Sequence, residues 1–234
     1  MIPIRKGSEP PELQRLRLRA KKLGLSPSRA YRTLGGDAKR RVREQLLHEQ
    51  GQLCAYCMSR IPREDVEPNI VPIGIEHYLP QHPVDALDVG QGLAYENLLA
   101  VCHGNKGTAG TRCFADLTCD AHRRNTPLRK VNPCDASSLA SIYYTVDGRI
   151  CAEDREVHLD LVETLNLNSR SSPLVGERRA ALAVLLEEMG QVPEAELADY
   201  CALRLAELSA DEDPKLPYVG ILLWYLQSML VSLT

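Results

Sequence analysis

The chain lacks the apolar run that a secretory signal needs. Its start, Met1-Ile-Pro-Ile-Arg-Lys6, passes directly into polar residues, so a cytoplasmic protein with reduced cysteines is expected. It also lacks strong compositional bias: 44% hydrophobic and 25% charged residues lie near the globular average and exclude global disorder, collagen-like repeats and low-complexity architecture. Aromatic residues are few, with one Phe, one Trp and nine Tyr. The most apolar segment, 217–233, spans about 17 residues and is interrupted by Gln227 and Ser228, marginal for a bilayer. It reads as a buried core helix before a partner-docking one, and no membrane association is expected. At 234 residues and 26.0 kDa the chain is too long for a mini-protein and suits one domain, or a small module with companions.

Charge is present in both signs but unevenly placed. Residues 1–50 hold 13 Lys+Arg against 5 Asp+Glu, residues 51–150 hold 9 against 11, and residues 151–234 hold 6 against 15. A basic first fifth and an acidic last third point to two different partners, one of them polyanionic, with phosphates the first suspect. Leu13, Leu16, Ala20 and Leu23 recur at helical spacing opposite Arg15, Arg17, Arg19, Lys21 and Lys22, which predicts a basic amphipathic helix over 11–23, closed by Gly24 and Pro27. A second helix is expected over 37–50. Beyond residue 170 three further helices are expected over 174–189, 193–208 and 217–233. Asp147-Gly148 between Ile/Tyr/Val-rich flanks predicts a hairpin over 142–150 with a two-residue turn.

The segment 52–135 differs: Pro and Gly are frequent, six of the eight cysteines fall here and long periodic runs vanish, as expected of a loop-rich module held by metal. Cys54-Ala-Tyr-Cys57 is a C-x2-C knuckle whose spacing lets two thiolates reach one Zn2+. Any two of Cys102, Cys113 and Cys119 could close a four-thiolate site, with Cys134, Cys151 and His103 as lesser competitors, while Cys201 reads as a small buried hydrophobe. A redox C-x-x-C would need a βαβ context that is absent. Between the half-sites stand Glu76-His77 and, further on, Asn97. An acidic residue beside a His pairs an oxygen ligand for a hard divalent cation with a base titrating near neutrality, which metal-assisted phosphodiester hydrolysis requires. His48, His82 and His158 carry no assigned role.

Taken in order, C-x2-C, Glu-His-x-x-Pro and Asn-Leu-x-x-x-Cys resemble the zinc-knuckle branch of the HNH endonucleases. Leu53-Cys-Ala-Tyr-Cys57, Ile75-Glu-His77, Asn97-Leu-Leu-Ala-Val-Cys-His-Gly104, 119–125, Asn132-Pro-Cys-Asp135 and Leu165-Asn-Leu-Asn168 with Arg178 are together similar to the PtuB-like HNH subunits of Septu-type and retron-associated anti-phage defence systems. The resemblance implies an α+β fold: a ββα-metal nuclease module with structural zinc over 51–135, a basic helical arm over 1–50, and a hairpin with acidic partner-binding helices over 136–234. It implies His77 as general base, Glu76 as ligand to Mg2+ or Mn2+, Asn97 orienting His77 through a hydrogen bond, and Cys54, Cys57, Cys102 and Cys119 at zinc. The third letter of the motif is displaced, because residue 105 is Asn and the next cysteines are Cys113 and Cys119. Asn125 is the first choice for the further metal ligand, followed by His122, with Asp120 and Asn105 also possible. Arg123, Arg124, Arg129 and Lys130 would contact phosphates. The implied function is cleavage of DNA as the effector of a defence system, beside a PtuA-like ABC-type ATPase subunit. The alternatives are a stand-alone restriction-type HNH endonuclease and a non-catalytic zinc-binding interaction protein.

Overall fold

The computed structural model describes residues 1–62, 74–81, 90–107, 113–210 and 212–233, and the fold is α+β. Helix α1 (Pro11–Leu23) opens on a proline, which needs no intrahelical donor there, and closes on Gly24 at φ +61°. Leu13 and Ala20 are buried while Arg15, Arg19, Lys21 and Lys22 face solvent. A short α2 (Pro27–Tyr31) follows where the sequence pattern gave only a helix stop. Ser26 Oγ accepts from the Arg29 N–H (3.3 Å) and Pro27 takes the first position, so the proline expected to help stop α1 instead starts a new helix. Helix α3 (Gly36–Glu49) buries Val42, Leu46 and Leu47, the stripe its spacing predicts.

Strands β1 (Gly74–His77) and β2 (Leu98–Val101) pair antiparallel, with Glu76 opposite Leu99 and His77 opposite Leu98. All four β2 residues are buried. The Gln50 side chain, at the end of α3, pairs with β2 by accepting from the Ala100 N–H (2.9 Å) and donating to the Ala100 carbonyl (2.8 Å). Ala100 O also receives the Ala55 N–H (3.1 Å), so both polar groups of this buried residue are satisfied. Helix α4 (Cys119–Arg123) comes next in the chain, and α5 (Ala136–Leu139) is capped by Asp135, whose Oδ1 accepts from the Ser137 N–H (2.9 Å).

Strands β3 (Ile142–Tyr144) and β4 (Ile150–Ala152) form the expected hairpin, but its turn is longer than two residues. Gly148 N–H donates to Thr145 O (2.9 Å) and Thr145 N–H to Arg149 O (3.0 Å), which puts Gly148 at φ +91° behind a four-residue turn. The cause is tertiary: a Cβ at Gly148 would lie 2.2 Å from Val175 O in α7 (Leu174–Met189). Helix α6 (Arg155–Leu159) runs into a π-turn over Asp160–Thr164. There the wholly buried Asp160 carboxylate accepts the N–H groups of Arg129 (2.9 Å), Lys130 (2.7 Å) and Val131 (3.0 Å). Arg178 of α7 is also fully buried and donates to Gly148 O (2.7 Å), Leu167 O (2.8 Å) and Asn168 Oδ1 (3.1 Å). The motif around 165–168 with Arg178 is therefore scaffold.

Helices α8 (Leu197–Ser209) and α9 (Val219–Leu233) pack on one another, and α9 also packs on α7 and β3. Ile221 and Leu226 are fully buried, and a Cβ at Gly220 would lie 2.7 Å from Met58 Cε and 2.8 Å from Tyr144 Oη. The apolar helix thus starts inside the core and emerges at Val231, 79% exposed. One contiguous apolar cluster takes Leu46 from α3, Leu53 from the knuckle, Leu98 from β2, Ile150 from β4 and Ile221 from α9. Among the described residues no helix is long and apolar enough to cross a membrane.

Candidate functional site: a four-thiol cluster beside a polar cleft

The two cysteine half-sites meet in space. The sulfur atoms of Cys54, Cys57, Cys102 and Cys119 all lie within 4.8 Å of one another. Individual separations are 3.7 Å (Cys102 to Cys119), 3.8 Å (Cys57 to Cys102) and 4.0 Å (Cys54 to Cys119). A tetrahedron with Zn–S bonds of about 2.3 Å has edges of roughly 3.8 Å, so the cluster fits a structural metal such as zinc. Cys54 and Cys57 sit in a tight knuckle closed by Met58 N–H to Cys54 O (3.0 Å), Cys102 follows β2, and Cys119 opens α4. Gly104 makes the approach of the two later cysteines possible: at φ +58°, a Cβ there would lie 2.2 Å from Thr118 O. Cys113 lies elsewhere, exposed, with its thiol 3.5 Å from Asp116 Oδ2, and His103 is exposed. Burial disfavours a charge on Cys54, yet hydrogen bonds from Cys102, Cys119 and Cys57 outweigh it and hold that thiol well below its ordinary value. The same contacts, to Cys102, Cys54 and Cys57, together with burial, push Cys119 well up. A divalent cation would displace the remaining protons.

Glu76 projects from β1 into a buried polar knot. Its Oε1 lies 2.5 Å from Arg123 Nη1, and the same nitrogen donates to Tyr56 Oη (2.6 Å). Arg123 is 1% exposed and also donates to the carbonyls of Tyr78 and Thr126, so the expectation that it contacts phosphate is overturned: its guanidinium is spent inside the protein. Burial, then the hydrogen-bonded Asp120 carboxylate, push the Glu76 carboxyl well above the usual range, against the pull of Arg123.

The His77 imidazole is fixed from three sides. Its Nε2 lies 3.1 Å from Gly92 O and 2.9 Å from Gln81 Nε2, and Tyr31 of α2 meets the ring edge-on at 4.6 Å between centroids. A carbonyl only accepts and an amide nitrogen only donates, so the two contacts on Nε2 are both satisfied only with the Gln81 amide turned to present its oxygen; Nε2 then carries the proton and Nδ1 is the basic nitrogen. The expected hydrogen bond from Asn97 to His77 is not formed. Asn97, 5% exposed, instead accepts from the Leu79 N–H (2.6 Å) and donates to Leu79 O (3.1 Å) and Gln91 O (3.3 Å). The register explains this: His77 faces Leu98, which places Asn97 beyond the ladder, where Tyr78 N–H reaches its backbone carbonyl (2.8 Å) and its side chain meets the turn that follows. Asn97 thus holds the residue next to Gly92 and reaches His77 through it.

A cleft of about 290 Å³ is lined by Glu76, His77, Pro80, Gln81, Lys106, Asp120, Arg124 and Asn125. Of the residues considered for the further metal ligand, Asn125 and Asp120 are brought to Glu76 and His77. His122 and Asn105 are not. Asp120 of α4 lines the cleft, whereas His122, two positions on and about 200° round the helix, does not. His122 bonds Thr164 O through Nδ1 (3.0 Å) and stacks on Phe114 at 4.5 Å, and Asn105 donates to Asp116 O (3.1 Å). Arg129 pairs with Asp160 (3.4 Å) and Lys130 pairs with Asp154 (2.5 Å), so both serve internal contacts. Tyr31, Gln81 and Gly92 contact His77 although no spacing announces it; Gln81, four residues after His77, is the nearest to a signal. His82 lies outside the described residues. Compared with known proteins, the chain matches no protein-family model and no curated protein.

Proposed function

We propose that the protein is a metal-dependent HNH-type endonuclease that hydrolyses phosphodiester bonds of DNA. The observation that carries this reading is the convergence of Glu76, His77, Asp120 and Asn125 on one cleft beside the four-thiol cluster: β1, which carries the first two, pairs with β2, which leads into Cys102, and α4, which carries Asp120, opens on Cys119. In this reading zinc ties the knuckle to α4 and so sets the distance from Glu76 to Asn125. His77, with its proton on Nε2, takes a proton from water through Nδ1. The second Glu76 oxygen, Asp120 and Asn125 supply the oxygen ligands that Mg2+ or Mn2+ prefers, and such a cation supplies charge stabilisation at the phosphate and the leaving oxygen. Lys106 and Arg124 at the cleft's edge meet the scissile strand.

The resemblance to defence-system subunits extends the reading to an effector that works in the cytoplasm beside an ABC-type ATPase. The docking surface for that partner is the C-terminal third, where the charge balance is −9 and Val184, Leu203 and Val231 are exposed. Because α9 begins in the core, this is tested by Leu203→Lys and Val231→Lys rather than by truncation; undiminished co-purification with the ATPase would remove the docking claim.

One observation favours a non-catalytic zinc-binding scaffold: Glu76 is already tied to Arg123 and Tyr56. Incubating zinc-loaded protein with supercoiled plasmid and Mg2+ or Mn2+, with His77→Ala alongside, separates the readings. Metal-dependent nicking or linearisation lost in folded His77→Ala supports the nuclease. A wild type inert alone and with the ATPase leaves the scaffold.

A further inference from the structure

The positive charge of residues 1–50 is unevenly used. Lys6 pairs with Glu49, Arg17 with Glu9, Arg40 with Asp37 and Glu44, and Arg41 with Glu12. Among the described residues Arg5, Arg15, Arg19, Lys21, Lys22, Arg29, Arg32 and Lys39 form no ion pair; of these, Arg29, Arg32 and Lys39 stand nearest Tyr31 in the chain fold, and Arg29 and Arg32 are exposed. These three belong to α2, the residue that caps it and the first turns of α3, and they surround Tyr31, the residue that meets His77 edge-on. Lys39 Nζ stands 5.5 Å from the centre of the Tyr31 ring, a cation–π contact that orders the long side chain. The Lys39 ammonium is therefore within about 10 Å of the imidazole, close enough for one nucleic-acid strand to touch both. Lys106 and Arg124 line the cleft that His77 shares, and the Arg124 guanidinium is steadied 4.2 Å above Phe114. Cations thus stand at both ends of a short path through His77, whereas the C-terminal third repels a polyanion.

We infer that the α2–α3 corner, Arg29, Arg32 and Lys39 around Tyr31, receives the DNA phosphate backbone and leads it past His77 to Lys106 and Arg124. The inference takes its ligand from the endonuclease reading, but its test needs no cleavage. Binding of a labelled duplex is followed by fluorescence anisotropy over a salt series, using zinc-loaded protein carrying His77→Ala and no added Mg2+ or Mn2+. Arg29→Glu, Arg32→Glu and Lys39→Glu are combined in one variant; Arg149→Glu, Arg155→Glu and Arg170→Glu make a control with the same change of net charge at exposed positions. A milder triple change to Gln guards against misfolding.

Loss of three phosphate contacts lowers the slope of log K against log salt by about 2.7 and weakens binding at 0.1 M salt at least tenfold, to roughly the same extent in the Gln variant. The control variant loses less than about threefold through net charge alone. Equal losses in corner and control, unchanged binding by the corner variants, or no DNA binding by the parent each overturn the inference. Wild-type cleavage with Mg2+ or Mn2+ is scored separately. Binding through the corner without cleavage, alone and with the ATPase, removes the endonuclease reading and leaves the surface in place, and cleavage with binding indifferent to the corner does the reverse.

Discussion

The backbone carbonyl of Gly92 lies 3.1 Å from Nε2 of His77 and, with the Gln81 amide turned to present its oxygen to the same nitrogen, sets Nε2 as the protonated one. The neighbouring Gln91 carbonyl accepts from Asn97, so the buried amide and the imidazole are linked through one peptide segment. Asn97→Ala is expected to lower kcat with little change in KM and to cost about 1–3 kcal/mol of stability, since the N–H and C=O groups of Leu79 lose their partner. Steady-state cleavage with chemical denaturation checks both. A change confined to KM would remove the positioning role.

His77→Ala and His122→Ala are expected to behave oppositely. The first loses about 10²–10⁴-fold in cleavage and keeps its fold. The second keeps cleavage within a few-fold and loses roughly 1 kcal/mol from the bond to Thr164 and the stack on Phe114. Measuring rates and melting together tells them apart; a cleavage defect in a stable His122→Ala protein would return that residue to the site.

The thiol cluster predicts one zinc per chain by elemental analysis, retained by Cys113→Ser and lost with the fold in Cys54→Ser or Cys119→Ser. Because Cys119 holds its proton well above the ordinary thiol value when no metal is bound, zinc uptake releases protons and affinity falls as pH is lowered. Proton release on titration with zinc at two pH values measures this. Uptake without release would mean that the cation binds elsewhere.

Arg123→Met removes the cation beside the buried Glu76 carboxyl, which burial and Asp120 already push well up and which then takes up a proton, so the expected cost is about 1–3 kcal/mol. Adding Glu76→Gln recovers most of that loss. A double-mutant cycle in urea is the check, and additive losses would show that the 2.5 Å contact couples nothing.

Gly148→Ala should destabilise by more than the roughly 1 kcal/mol of an ordinary glycine replacement, since a Cβ there meets Val175 O at 2.2 Å with φ at +91°. Thermal unfolding relative to Gly176→Ala, whose Cβ meets nothing within 4 Å, isolates that contact.

The sequence alone determined what depends on local spacing. Apolar residues three and four apart located α1, α3 and α8, Ser172-Pro173 before a run of helix formers located α7, the Asp147-Gly148 pair marked the hairpin, and Cys54-Ala-Tyr-Cys57 announced a metal knuckle. The choice of Cys102 and Cys119 as its complement followed from the family resemblance. Tertiary structure decided what depends on contacts between distant segments. It turned His122 away from the cleft because α4 places alternate residues on opposite sides, and it committed Arg123 to a buried pair with Glu76. It also brought Tyr31 to His77 across 46 positions, the numerical gap between them in the sequence, by folding the basic arm onto the strand that carries the histidine. No one-dimensional pattern encodes such a contact, since it is chosen by the packing of the whole core and not by the residues on either side.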